Sequence, residues 1–233
     1  MADAPRVFVA PVSLFRRIED TGAYGWTLAV LLALVTLIGY VETKSGLIER
    51  VVQRECEEQK AKLEREQRDL LGRVEFRNEM EKIDKTAEFT TLMAQIKVAA
   101  ASPAYVLASI LLIASCLYAV VALTGRKPEY HTLVSICVYA EFVELAAYAL
   151  RLGMMMFYRT IQVDTSLVML ATSKTWLWLA AIDPFRIWFW VLVAIGVTVT
   201  RQLSRRTAII ACGVMGLLTS AVWGLKEYAP SWM

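Results

Sequence analysis

Histidine is nearly missing from these 233 residues, cysteine occurs four times, and proline six times. Each scarcity excludes something. With His131 alone, a histidine-based metal or proton-transfer cluster has no ligands to draw on. No paired CxxC, no zinc-binding HExxH, no P-loop and no GxSxG elbow occurs, so the common metal, nucleotide and acyl-transfer sites have no sequence footing. Intramembrane proteolysis would need a serine and histidine, or two aspartates, deep in one bundle. Asp164 and Asp183 instead flank the apolar runs. Nor is there an excess of one charge: a formal net charge of +3, with acids and bases interleaved, gives no reason to expect nucleic acid. These absences describe a protein that is not an enzyme and needs neither cofactor nor metal.

What the chain has in abundance is oil. Hydrophobic residues make up 57% of it, more than a water-dispersed domain of this size carries. Five apolar runs are long enough, at about 18 residues or near it, to cross a hydrocarbon core of about 30 Å: 24–41, 103–123, 131–157, 184–200 and 207–225. The expected fold is all-α and integral to a membrane, a five-helix bundle. Its connecting parts are an amino-terminal interfacial segment (1–23), a charged insert (42–102), an outer loop or interfacial segment (158–183) and a tail (226–233). Arg6, Arg16, Arg17, Arg126, Lys127, Arg201, Arg205 and Arg206 fall on one side of this layout, and only Arg159, Lys174 and Lys226 on the countable loops of the other. Cationic loops resist translocation, so the amino terminus is expected in the cytoplasm and the carboxyl terminus outside. Attraction of Arg201, Arg205 and Arg206 to anionic membrane lipid accounts for that loop.

The insert at 42–102 holds more than half of the chain's charges and no proline before Pro103. Glu58 and Lys62, Glu64 and Arg68, Asp69 and Arg73, and Glu81 and Lys85 are acid-first pairs four residues apart, the orientation that supports a solvated helix. Two long helices reversing at Gly72 to Asn78 would form an extracytoplasmic hairpin with arms of about 40 Å. The returning arm carries a thin apolar stripe, Phe76, Met80, Ile83, Ala87, Thr90 and Ala94. The outgoing arm offers Val52, Cys56, Leu63 and Leu70. Either the hairpin satisfies itself or so thin a seam needs a partner, with Leu63, Leu70, Phe76, Met80, Ile83 and Ala87 as contacts. Cys56, the one cysteine outside the apolar runs, is either a reduced thiol or an intermolecular bridge.

The fourth run opens "AAIDPFRIWFWVLVAIG". Asp183 can cap orphan N–H groups, Pro184 suits a first helical position, and Arg186 can return its guanidinium to the interface. Trp176, Trp178, Trp188 and Trp190 fit an aromatic belt at headgroup level. The third run places Glu141, Glu144, Tyr148 and Arg151 on one narrow helical face. Ionisable groups at such depth face protein or water. Three readings stay open: a packed network joined by Arg186, a proton or cation relay, and recognition of a headgroup or substrate through Arg151. The fifth run carries Ala208, Cys212, Gly216, Ser220 and Gly224 at four-residue spacing, a small-residue stripe for packing within the chain or between two copies. Met154 to Met156 read as apolar filler.

The stretch Ala180 to Val197, with Asp183, Phe185, Trp188 and Gly196, resembles the corresponding segment of bacterial members of the Yip1 domain family. So does the opening "PVSLFRRIED", with Pro11, Leu14, Phe15 and Ile18. The resemblance implies a non-catalytic five-span protein of a bacterial inner membrane. Eukaryotic members of that family bind small GTPases, and bacterial ones include accessory components of ABC export systems. The long insert departs from the family's short first loop, and the extended amino-terminal region of the eukaryotic members is missing, so GTPase binding is not expected. The reading is a scaffold or accessory subunit of an envelope export assembly, with an ABC-type transporter or periplasmic adaptor as partner. Its rivals are a transporter or channel using Glu141, Glu144 and Arg151, and a stress or lipid sensor. No output domain accompanies the last.

Overall fold

A computed structural model describes residues 6–21, 24–67, 73–96, 98, 101–158 and 182–228. The described elements are helices: α1 (Arg6–Val9), α2 (Pro11–Thr21), α3 (Gly25–Lys44), α4 (Leu47–Gln67), α5 (Arg73–Ile96), α6 (Ser102–Leu123), α7 (Tyr130–Tyr158), α8 (Pro184–Val199) and α9 (Arg205–Tyr228). Three of the five expected spans correspond to helices long and apolar enough to cross a membrane, α3, α6 and α7. α8 is apolar but has 16 residues, a rise of about 24 Å that falls short of a hydrocarbon core. The chain divides into two units, one of Met1–Leu34, Tyr105–Arg151 and Val163–Met233, the other of Val35–Ala104 and Leu152–Gln162.

The first unit is built around α7 and α8. In the apolar stretch of α7, 67% is buried, against 17% in α3 and 22% in α6, so α7 is the interior helix and the other two present most of their surface outward. Leu133, Ile136 and Val143 of α7 are fully enclosed, as are Leu192, Val193 and Val197 of α8. Ideal Cβ placement on Gly196 of α8 would fall 2.5 Å from Cγ2 of Ile136. The two helices therefore meet at a point where only a hydrogen fits, the close approach that small residues permit in lipid. Short α2 shows why "PVSLFRRIED" reads as amphipathic: Leu14, Phe15 and Ile18 are buried while Arg16 and Arg17 are exposed. It packs against α8 and against α1.

Helix α8 begins as its sequence dictates. Asp183 is the N-cap in extended conformation, its Oδ1 accepts from the Phe185 N–H at 2.9 Å, and Pro184 follows with no N–H to satisfy. The aromatic belt is corrected at one position. Trp188 is 39% exposed, but Trp190 is 7% exposed and its Nε1 donates to Thr219 Oγ1 of α9 at 3.2 Å. Two residues along a helix turn a side chain about 200° around the axis, so Trp190 turns inward against α9 where Trp188 turns outward. Trp176 and Trp178 lie outside the described residues.

In the second unit, α4 and α5 pack against each other in opposite directions, as the pairing of Glu49 with Gln95 and of Cys56 with Asp84 requires. α3 hands over to α4 through Ser45 and Gly46, whose positive φ of 68° is one glycine adopts without strain. Gly39 of α3 lies so near Val98 that a Cβ would fall 2.9 Å from its carbonyl oxygen. The expected stripe on α5 slips by one residue. Phe76, Met80, Ile83, Ala87 and Ala94 are half-buried, but Thr90 is exposed and Thr91 takes its place, its hydroxyl donating to the Ala87 carbonyl at 2.9 Å. A straight helix of 3.6 residues per turn drifts off a strict heptad, which is enough to move the register. Of the acid-first pairs, Glu81 and Lys85 close at 2.7 Å. Leu70, Gly72, Arg68 and Asp69 lie outside the described residues.

Candidate functional site

The ionisable residues of α7 stand three, four and three apart, so Glu141, Glu144, Tyr148 and Arg151 line one side of the helix. Glu141 is 8% exposed, while Glu144, Tyr148 and Arg151 are half-buried. The beginning of α8 completes the group. Arg186, Asp183 and Arg151 are charges that act on Glu144, and Glu144 is the charge that acts on Glu141. Tyr148, Arg151, Asp183 and Arg186 each have interaction partners. Two features that the sequence offers separately are thus one site: the doorway of α8 and the acids of α7. Asp183 had a cap's role in prospect, and its second role beside Glu144 has no signal in a single sequence, since 38 positions separate them.

Among the described residues the site comprises three carboxyls, Glu141, Glu144 and Asp183, and two guanidiniums, Arg151 and Arg186. Asp183 has one oxygen committed to the Phe185 amide, which holds that carboxyl in place. Glu144 feels both Arg186 of α8 and Arg151 of its own helix, cations that offset its charge where the surroundings are poorly hydrated. Such a cluster can orient α8 against α7. It can also hold or pass a proton, because three acids face two permanent cations. Cys137 and Cys212 are buried free thiols near this level of α7 and α9. The described residues contain no group of three or more His, Cys, Asp or Glu side chains able to hold a metal ion.

Other candidate residues fall as follows. Ala208 and Cys212 of α9 are buried, Ser220 is half-buried, and a Cβ on Gly216 would meet the Trp190 ring at 3.0 Å. The surroundings of Gly224 lie outside the described residues. Of the doorway residues, Pro184 is exposed and Phe185 half-buried. Tyr24, just before α3, and Thr27 of α3 reach His131 and Tyr139 of α7 at 3.4 and 3.2 Å, so His131 is an exposed residue with an aromatic neighbour.

The α4 and α5 pair has a different character. Leu63 of α4 is half-buried, as are Phe76, Met80, Ile83 and Ala87 of α5. Lys60 and Asp84 bridge the helices at 2.5 Å, Cys56 Sγ lies 3.6 Å from the same carboxylate, and Gln95 Nε2 donates to Glu49 at 3.2 Å. The hydrogen bond from Lys60 holds the Asp84 carboxyl below the usual range and Asp84 in turn raises the ammonium. Burial pushes the Cys56 thiol up. On the far side of α5 from this seam, Phe89 is 61%, Leu92 52%, Met93 42% and Ile96 50% exposed. Their spacing of three, four and seven is a helical face. It was legible in the sequence, but the opposite stripe is the longer one and draws the eye.

Long apolar helices, a glycine-tight interior and an ionic cluster between helix faces mark an integral membrane protein. The chain belongs to the Yip1 domain family, whose model matches residues 6–225. No curated protein and no solved structure matches it.

Proposed function

We propose that this Yip1 family protein is a five-span accessory subunit of an envelope export assembly, of the ABC type, in a bacterial inner membrane. In this reading α8 and α9 are the fourth and fifth spans, and α4 and α5 form an extracytoplasmic hairpin that touches a transporter or periplasmic adaptor. The observation that carries it is the apolar face of α5. Phe89, Leu92, Met93 and Ile96 are exposed although α5 already has a partner in α4. A solvated helical pair gains nothing by keeping four large apolar residues outward, and contiguous exposed patches mark interaction surfaces. Family membership supports the non-catalytic role.

The test is purification at native expression level in mild detergent, followed by mass spectrometry. Intact protein is compared with a variant bearing Phe89→Ser, Leu92→Ser, Met93→Ser and Ile96→Ser, and with a deletion of residues 48–96. Transporter or adaptor subunits present at stoichiometric level with the intact chain, and lost from both variants, are the expected result. Equal recovery from all three removes the contact role.

A second reading rests on the cluster around Glu144, where acids outnumber the cations that act on them. Here the protein itself moves a proton or cation. Purified protein in liposomes decides it: flux driven by a pH gradient and abolished by Glu144→Gln would favour this reading, and silent, tight vesicles would end it.

A further inference from the structure

Two connections distant in sequence are fastened together at one end of the first unit. Residues 124–129 join α6 to α7, and residues 200–204 join α8 to α9. Arg126 Nη1 donates to the Arg201 carbonyl at 2.7 Å, and the Glu129 N–H donates to Gln202 Oε1 at 3.2 Å. Gln202 is buried, which makes the second bond a structural fastening rather than a surface accident. The result gathers Arg126, Lys127, Arg201, Arg205 and Arg206, all exposed, with Glu129 as the one acid of these connections. Glu129 is itself occupied by the Thr132 hydroxyl at 3.0 Å. Unscreened, five cations in so small a region repel one another, and an anion between them relieves this.

Arg201 sharpens the case. Its φ is 57°, in the left-handed region, at the position closing α8 where the Leu203 N–H returns to the Val197 carbonyl at 3.1 Å. Glycine is the ordinary residue there because a side chain strains this conformation. An arginine side chain is thus kept at a place where backbone geometry argues for none. The surroundings specify the kind of anion. Leu123, at 87% exposure, precedes the first connection, and Ile209 and Ile210, at 58% and 67%, follow the arginines on α9. A basic crown above exposed aliphatic residues matches a molecule with a charged head and an oily body.

We propose that these two connections bind the phosphodiester of an anionic phospholipid headgroup, with Arg126 and Arg201 on the phosphate and Leu123, Ile209 and Ile210 against the acyl chains. Guanidinium is suited to this because it presents parallel N–H donors to phosphate oxygens. Arg126 spends one donor on the Arg201 carbonyl and keeps others outward.

The full-length protein is placed in nanodiscs of phosphatidylcholine with a rising fraction of phosphatidylglycerol. Retained lipids are counted by native mass spectrometry, and the thermal midpoint is recorded in pure phosphatidylcholine. Wild type is expected to retain phosphatidylglycerol in preference to phosphatidylcholine. Arg201→Gly is expected to weaken that preference roughly fivefold while its midpoint in pure phosphatidylcholine is no lower, because glycine relieves the backbone. Arg126→Gln, and Arg205→Gln with Arg206→Gln, should weaken it as well. Unchanged preference in all three variants overturns the site. A lowered midpoint for Arg201→Gly overturns the strain argument, and the double variant then decides the binding. Inorganic phosphate at millimolar level that displaces the retained lipid and reproduces its stabilisation would assign the site to a soluble anion and reject the lipid.

Discussion

The two units hold their helices together by opposite means. In the first, contact is apolar and close: Ile136 against Gly196, Trp190 against Gly216, and enclosed leucines and valines around them. In the second, the seam between α4 and α5 is only half-buried and its cross-links are ionic or polar, Lys60 with Asp84 and Gln95 with Glu49. The first arrangement suits lipid, where apolar surface gives no hydrophobic drive and backbones must approach for dispersion to act. The second suits water, where charged flanks cost nothing but contribute little. A chain combining them has one unit whose outward apolar surface is matched to lipid and another that keeps apolar residues exposed beside charged flanks, which is where a protein partner is best sought.

The difference can be broken most forcefully at Gly196. Gly196→Ala puts a methyl 2.5 Å from Ile136 Cγ2, and overpacking of this kind costs about 1–3 kcal/mol. Ile136→Ala removes the obstructing Cγ atoms. The double variant should therefore lose less stability than the sum of the single losses, read as thermal midpoints in nanodiscs. Additive losses would mean that the helices do not meet there.

Next in size is the ionic cluster. Glu144→Gln leaves Arg186 and Arg151 without the carboxylate that they act upon, so the midpoint should fall, though by less than the about 3–5 kcal/mol of a fully buried pair. Glu141→Gln should leave it unchanged or raise it, because the charge acting on Glu141 is the like charge of Glu144. Equal losses from both would deny the two glutamates their separate roles. Smaller again is Trp190→Phe, which keeps the ring against α9 but deletes the hydrogen bond to Thr219, at about 0.5–1.5 kcal/mol.

How much of this was written in the sequence depends on the distance over which each feature is encoded. Local rules gave the helices at Leu47–Gln67 and Arg73–Ile96, the cap at Asp183 and the amphipathic start with Leu14, Phe15 and Ile18 buried, because each depends on residues within a turn or two. The buried place of Trp190 against the exposed one of Trp188 needed the direction of a neighbouring helix. The placing of Asp183 and Arg186 where they act on Glu144, and the joining of Arg126 to the Arg201 carbonyl, needed the packing of segments dozens of residues apart, and no periodicity carries that. Thr90 and Thr91 mark an intermediate case: the stripe was visible, and its last turns depended on whether the helix keeps a 3.5 or a 3.6 period.

The gentlest test of the comparison lies in the water-facing seam. Asp84 titrates below its ordinary value because Lys60 hydrogen-bonds to it, and Lys60 above its own because of Asp84. The carboxyl's contribution is present above the ordinary aspartate value and is lost as pH falls through its lowered one. The ammonium's contribution is present below the ordinary lysine value and is lost as pH rises through its raised one. The bridge therefore holds across neutral pH, and both groups are too exposed for its removal to change stability much. Cys56 reports it more sensitively. Burial first, then the opposing pull of Lys60 and the raising effect of Asp84, set its thiol. Asp84→Asn removes a neighbour that disfavours the thiolate, so alkylation of Cys56 at neutral pH should quicken, whereas Lys60→Met should slow it. Opposite changes in rate, with little change in thermal midpoint, are what a seam held by exposed charge requires; a large loss of stability from either substitution would instead place this pair in the same class as the glycine-packed interior of the first unit.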